Sequence, residues 1–140
     1  MEDMNRRSAM ALGLTVAAAT PLFGSAAFAA AKTYGPDEGK EIAPGVRVIE
    51  VGTRESVIPA YKSIQILDIV FQPGATAPES DMTDDMVCHI TAGEFTIKKG
   101  AEEFSVKEGD MYTCAKGKPD GATNTSDVVG VHRIAVLIPA

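Results

Sequence analysis

Beyond residue 45 the chain alternates between short apolar segments and turn-forming residues. The longest apolar segment, residues 64–71, is rich in β-branched side chains and is followed by Pro73 and Gly74. Such runs between Gly, Pro and Asp predict strands, and their spacing of about 8–12 residues is typical of a β-sandwich or β-barrel. Further predicted strands cover residues 46–51, 87–91, 94–98, 104–106, 111–115 and 131–138.

The segments between these runs predict turns and loops. Lys99 and Gly100 separate two of the runs and predict a hairpin turn. Residues 116–127 are rich in Gly, Asn, Thr and Asp and predict a loop. Residues 30–44 have no clear period and predict an irregular lead-in. The pattern therefore predicts one all-β domain over residues 45–140.

The first 29 residues have the pattern of a secretory signal peptide. Arg6 and Arg7 precede an apolar stretch at residues 9–19, which is too short to span a bilayer, and small residues then lead to Ala29. We expect cleavage after Ala29 and a periplasmic or secreted protein with no membrane attachment afterwards. The paired arginines suggest twin-arginine export, but the Phe usual two places later is missing, so the general route stays open.

Composition narrows the classes of partner. The net charge is −6, and no stripe of Lys and Arg occurs, which argues against nucleic-acid binding. Trp is absent and aromatic residues are 6%, so an aromatic platform for sugars is not expected. The two cysteines, Cys88 and Cys114, do not have the spacing of a metal knuckle. In an oxidising compartment they are candidates for a disulfide, and two buried free thiols are the alternative.

From residue 74 onward the order of glycines resembles the two motifs of the cupin family. The first motif begins and ends with Gly, and Gly74 and Gly93 occupy those places. The second motif begins with Gly, has another Gly within it and ends with Asn, and these places are held by Gly109, Gly117 and Asn124. The resemblance implies a cupin-like jelly-roll β-barrel, which often pairs as a homodimer. Glycine is required at such places where φ is positive or strands turn sharply.

The metal ligands of the family are replaced in this chain. The His, His, Glu and His positions of the motifs hold Ser80, Met82, Met86 and Asp120. The resemblance therefore implies a barrel without the usual metal, in which methionines fill the space of the ion. A second hypothesis is a copper site of Met82, Met86 and Cys88, because thioether and thiolate sulfur suit Cu(I).

Strand alternation gives the candidate pocket. If Met86 faces the barrel interior, Cys88 does too, and the predicted ligand-binding residues are Ser80, Met82, Met86, Cys88 and Asp120. We expect Asp120 to cap the loop at residues 116–124, the alternative being contact with a ligand. His132 lies on the last predicted strand, either as a hydrogen-bonded structural residue or as the partner of Asp120 in an acid–base pair.

These features predict an exported single-domain cupin that binds a small molecule, or acts as an accessory protein, without a cofactor. The alternative is an enzyme. One form is a metal-dependent oxidoreductase with substituted ligands, such as copper on Met and Cys. The other is a metal-free isomerase or epimerase that uses Asp120 and His132, as the resemblance to sugar epimerases with this fold implies.

Overall fold

The computed structural model describes residues 33–140, all of whose regular structure is β-strand, so the predicted all-β class is confirmed there. The predicted signal peptide and its cleavage site lie outside the described residues. No helix long and apolar enough to cross a membrane occurs in residues 33–140. The ten strands are β1 (Lys40–Ala43), β2 (Val46–Glu55), β3 (Tyr61–Phe71), β4 (Thr76–Asp81), β5 (Asp85–Ala92), β6 (Glu94–Lys99), β7 (Glu102–Lys107), β8 (Met111–Cys114), β9 (Pro119–Asn124) and β10 (Gly130–Pro139).

The strands form two antiparallel sheets. The larger has the order β1-β2-β3-β10-β5-β8, and the smaller has the order β4-β9-β6-β7. The predicted hairpin at Lys99 and Gly100 is confirmed: Lys99 pairs with Glu102 across a two-residue turn in which Gly100 has φ of 62°.

The core fills the space between the sheets. Phe71 from β3 meets Phe95 from β6 edge to face, with ring centroids 4.9 Å apart. Edge-to-face contact is a favoured arrangement of aromatic rings, and it stabilises the fold beyond the effect of the apolar area that the rings bury. The other buried members of this cluster come from both sheets: Val46, Ile69, Ile90, Ile97, Val106 and Ala122.

The five motif residues serve the backbone, as the sequence predicts. Gly74, Gly93, Gly109 and Gly117 all have positive φ. At Gly93 a Cβ atom would also lie 2.9 Å from the Cα of Gly130, so no other residue fits. The fully buried Asn124 donates from Nδ2 to the carbonyl oxygens of Phe71 and Val128, at 3.1 and 2.8 Å. These bonds satisfy two backbone carbonyl groups, one at the end of β3 and one in the turn before β10.

Two predictions about the irregular segments differ from the structure. The predicted loop at residues 116–127 is wrong over Pro119–Asn124, which forms β9 and pairs with β4 and β6. Strand β4 was not predicted either. The lead-in contains β1, and its Tyr34 packs against Val70 and Val131 on the outer face of the larger sheet. There the Tyr34 hydroxyl donates to Asp68, which also binds Arg133 at 2.7 and 2.8 Å.

Candidate functional site

An open cavity of about 490 Å³ lies between the sheets, with β1, β3, β4, β5, β9 and β10 contributing to its wall. Its polar side chains are Glu79, Ser80, Asp120 and His132, and the rest of the lining is mostly aliphatic. Concave, largely apolar cavities with a few polar groups are the usual form of small-molecule sites. The apolar lining comprises Ile42, Ala43, Leu67, Ile69, Phe71, Ala77, Pro78, Met82, Met86, Ala122 and Ile134.

Four of the five predicted pocket residues line this cavity. Ser80 pairs directly with Asp120 between β4 and β9. Met82 follows β4 and is held by backbone hydrogen bonds to Gly117 and Lys118, of 2.7 and 2.9 Å. Met86 lies on β5 opposite Val136 of β10. Because Met86 lines the cavity, it faces the barrel interior, as strand alternation predicts.

Cys88 is the predicted pocket residue that does not line the cavity. Its side chain is fully buried and its Sγ atom lies 3.5 Å from Sγ of Cys114, both cysteines being free thiols. The disulfide alternative is therefore not the state that the structure shows. The hydrogen bond with Cys114 is the main cause that raises the pKa of the Cys88 thiol, and burial adds to it.

Asp120 lies on a strand and not in a loop, so the prediction of a loop cap is wrong. Its Oδ1 atom is buried and has no hydrogen-bond partner among the described residues. Burial raises the pKa of the Asp120 carboxyl, while hydrogen bonds with Cys114 and Tyr112 and the charge of Lys99 oppose the rise. A carboxylate held in this way favours its neutral form more than an exposed one does.

His132 faces the cavity from β10 and is only 3% exposed. Burial lowers its pKa to about 4, so the imidazole is neutral at pH 7. Its Nε2 atom lies 3.1 Å from the hydroxyl oxygen of Tyr112, and the two rings are 5.4 Å apart. His132 is therefore a buried, hydrogen-bonded residue on the core face of the last strand, and both predicted roles stay open.

Tyr112 and Lys99 are outside the cavity lining but interact with His132 and Asp120, and sequence reasoning missed both. The Tyr112 ring contacts Phe104 edge to face at 5.5 Å and has Lys99 Nζ 5.1 Å from its centroid. Burial is the main cause that raises the pKa of the Tyr112 phenol. Alternation along the strand predicted at residues 111–115 places Tyr112 on the face of Cys114, so that signal was present for Tyr112. Lys99 has no such signal, because a Lys beside a hairpin turn is usually solvated.

The donors in the cavity do not fit the metal site that the motifs imply. A hydroxyl, two thioethers and one carboxyl stand at the four ligand positions, and harder divalent ions prefer imidazole and carboxylate ligands. Among residues 33–140, no group of three or more His, Cys, Asp and Glu is placed to hold a metal ion. The copper hypothesis is left with Met82 and Met86 on the cavity wall, with Cys88 behind it.

Comparisons with known proteins concern the fold. No family model and no curated protein matches the sequence. The Cupin_2 domain of an XRE family transcriptional regulator from Enterobacter cloacae aligns with a TM-score of 0.57 at 17% identity, over 69% of this chain and 99% of that one. An RmlC-like cupin from Shewanella frigidimarina aligns with a TM-score of 0.58 at 16% identity, over 79% and 93%. KdgF from Halomonas sp. aligns with a TM-score of 0.56 at 16% identity, over 76% and 94%. The chain therefore has the cupin fold, as the motif glycines predict.

Proposed function

We propose that this cupin-fold chain is an exported protein that binds a small, largely apolar molecule in the barrel cavity without the metal site of the family. The observation that carries the proposal is the open cavity of about 490 Å³ with its aliphatic lining. The substituted ligand positions support it, because they leave the cavity with few groups able to hold an ion or a strongly polar substrate.

The side chains that line the cavity favour neutral or cationic ligands over anions. Glu79 and Asp120 are the acidic side chains of the lining, and no Lys or Arg is among the described residues that line it. His132 adds no positive charge at pH 7, because burial lowers its pKa to about 4. An anion would therefore lose its hydration without gaining a cationic partner.

A neutral fluorescent probe, N-phenyl-1-naphthylamine, tests binding in the cavity. Ala43→Phe places a ring on the cavity wall at β1 and should weaken probe binding by about tenfold or more, which corresponds to only about 1.4 kcal/mol. Ala135→Phe is the matched control, because Ala135 follows the cavity-lining Ile134 and faces the opposite side of β10. Equal binding by both variants and the parent would contradict the proposal.

Competition by two ligands of equal length tests the charge preference. Hexylammonium should displace the probe at lower concentration than hexanoate, and Asp120→Asn should reduce this difference. Stronger displacement by hexanoate would refute the preference and leave cavity binding itself intact.

An acid–base enzyme is the second candidate. The observation in its favour is that Asp120 and the neutral His132 line the same cavity, with Tyr112 hydrogen-bonded to His132. Such groups can move a proton without a metal. Deuterium uptake into a cavity ligand in D₂O, abolished by His132→Gln, would establish it. The oxidoreductase alternative instead requires a metal at the substituted ligand positions. In its copper form Met82 and Met86 bind the ion, with Cys88 behind them, and Met82→Leu with Met86→Leu should abolish Cu(I) binding.

We also propose that the chain forms a homodimer. Val51, Val57 and Ile58 on β2 and the turn that follows it are 49%, 99% and 53% exposed, and β1 leaves one edge of the larger sheet unpaired within the described chain. Edge strands and exposed apolar side chains are commonly covered by a second copy. Sedimentation equilibrium should give twice the mass of the mature chain, and a monomer at all concentrations would refute it.

A further inference from the structure

Behind the cavity, β5 and β8 hold two thiols in contact. Cys88 pairs with Tyr112 and Met86 pairs with Cys114, so both cysteines lie on the same face of this strand pair. Their Sγ atoms are 3.5 Å apart, and the residues are 0% and 3% exposed. A disulfide bond is about 2.05 Å long, so the sulfurs must approach by about 1.5 Å to form one.

Strand β8 is the element that can supply this movement. It has four residues and lies at the end of the larger sheet, where it pairs with β5. Strand β5 is held on its other side by β10. Short edge strands open locally at lower free energy than central strands, so Cys114 can approach Cys88 while the centre of the sheet stays in place.

Lys99 distinguishes the two sulfurs. Its Nζ atom lies 3.6 Å from Cys114 Sγ and donates a hydrogen bond of 2.5 Å to the carbonyl oxygen of Thr113. A cation at this distance stabilises the negative charge that a sulfur carries during thiol–disulfide exchange. Both residues are buried, but Cys88 lies on the inner strand of the pair and Cys114 on the edge strand. Cys114 is therefore placed to react first with an external disulfide.

We propose that Cys88 and Cys114 form a reversible dithiol–disulfide pair that reacts with a small disulfide such as oxidised glutathione. The Cys114 thiolate attacks one sulfur of the small disulfide, expels a thiolate and forms a mixed disulfide. The Cys88 thiolate then attacks the Cys114 sulfur and expels the second thiolate. The protein gives up two electrons and two protons, and the small disulfide is reduced to two thiols. This chemistry is independent of ligand binding in the cavity.

Equilibration of the folded mature protein in a series of reduced and oxidised glutathione mixtures tests the proposal. After acid quenching and alkylation with N-ethylmaleimide, mass spectrometry should show both thiols lost in one step, with a peptide pair joined through Cys88 and Cys114. In the single variants, Cys88→Ser should trap glutathione on Cys114, whereas Cys114→Ser should leave Cys88 as a thiol. Circular dichroism recorded before quenching verifies that each sample is folded.

Three results would overturn the proposal. The first is that both thiols of the folded protein remain reduced across the whole series and oxidise only in urea. The second is that the parent accumulates a mixed disulfide with glutathione. The third is the reverse asymmetry, in which Cys114→Ser traps glutathione on Cys88 and Cys88→Ser does not.

Discussion

At the scale of single residues, the polar groups of the cavity are shaped by burial. His132 is neutral at pH 7 because it is buried, and its ring contacts those of Phe95 and Tyr112 at centroid distances of 5.9 and 5.4 Å. Asp120 is pushed towards its neutral form by the same lack of solvent. The two groups have opposite effects on the pH dependence of stability, because burial disfavours a cation in one case and an anion in the other.

Acid should destabilise the protein through His132. Its pKa is about 4 when folded and about 6.5 when unfolded, so the unfolded chain binds the proton more tightly. The contribution of His132 is fully present above pH 6.5 and is lost as the pH falls through 4, a loss that approaches about 3 kcal/mol. Asp120, whose pKa is raised by burial, opposes this loss on acidification.

The variant His132→Gln isolates the contribution of the imidazole. Glutamine retains a partner for Tyr112 but does not titrate, and both proteins carry Asp120. Urea unfolding between pH 4 and 8 should therefore show a steeper decline for the parent than for the variant, whatever their absolute stabilities. Parallel pH profiles would mean that His132 is solvated in the folded protein.

At the scale of elements, the pairing of β4 with β9 builds the polar side of the cavity. Ser80 and Asp120 are opposite each other in this pair, although they are far apart in sequence. The strands approach closely at Gly121, where a Cβ atom would lie 2.8 Å from the backbone nitrogen of Glu79. Because Gly121 has no side chain, the two strands can pair at this distance.

Substitution of Gly121 by Ala should force these strands apart. The contact is with backbone atoms, which cannot move aside as a side chain can, so we expect a loss of about 1–3 kcal/mol in the free energy of unfolding. Gly52→Ala on β2 is the matched control, because no atom lies within 4 Å of its added Cβ and its φ is not positive. Urea unfolding should show little loss for Gly52→Ala, and equal losses in both variants would contradict this account of the β4–β9 contact.

At the scale of the whole molecule, a compact unit is formed by Tyr34–Ala140. Its larger sheet has a second buried layer on the outer face, where Tyr34 covers Val70 and Val131. The lead-in is thus part of the folded unit from Tyr34 onward. A cleavage after Ala29 would leave this residue in the mature protein, which makes the predicted processing compatible with an intact domain.

The exported protein should begin at Ala30, within one or two residues. The basis is Arg6 and Arg7, the short apolar stretch and the small residues that precede Ala30. Mass spectrometry of the extracytoplasmic fraction measures the mature start, and replacement of both arginines by lysine should block export only if the twin-arginine route is used. A full-length chain in the soluble part of that fraction would refute cleavage.

Local sequence determined much of the architecture. The apolar runs predict β2, β3, β5, β6, β7, β8 and β10, because alternation and β-branched residues act within a single strand. The motif glycines predict the turns, since a positive φ is a property of one residue. The substituted ligand positions could likewise be read from the motif. Four of the five residues predicted from these patterns line the cavity.

Only the tertiary structure decided the elements and contacts that depend on partners distant in sequence. Strand β4 contains Pro and acidic residues, and β9 contains Pro, Asp and Gly. Each is a strand because the strands paired with it satisfy its backbone hydrogen bonds. The same pairing moved Asp120 from an expected loop to the cavity wall. The contact of Cys88 with Cys114 likewise follows from the register of β5 with β8. The contact of Tyr112 with His132 follows from the strand order β10-β5-β8, in which β5 separates the strands that carry them. The hydrophobic pattern of each strand restricts which face it buries, but the register between strands distant in sequence is fixed only when those faces pack together.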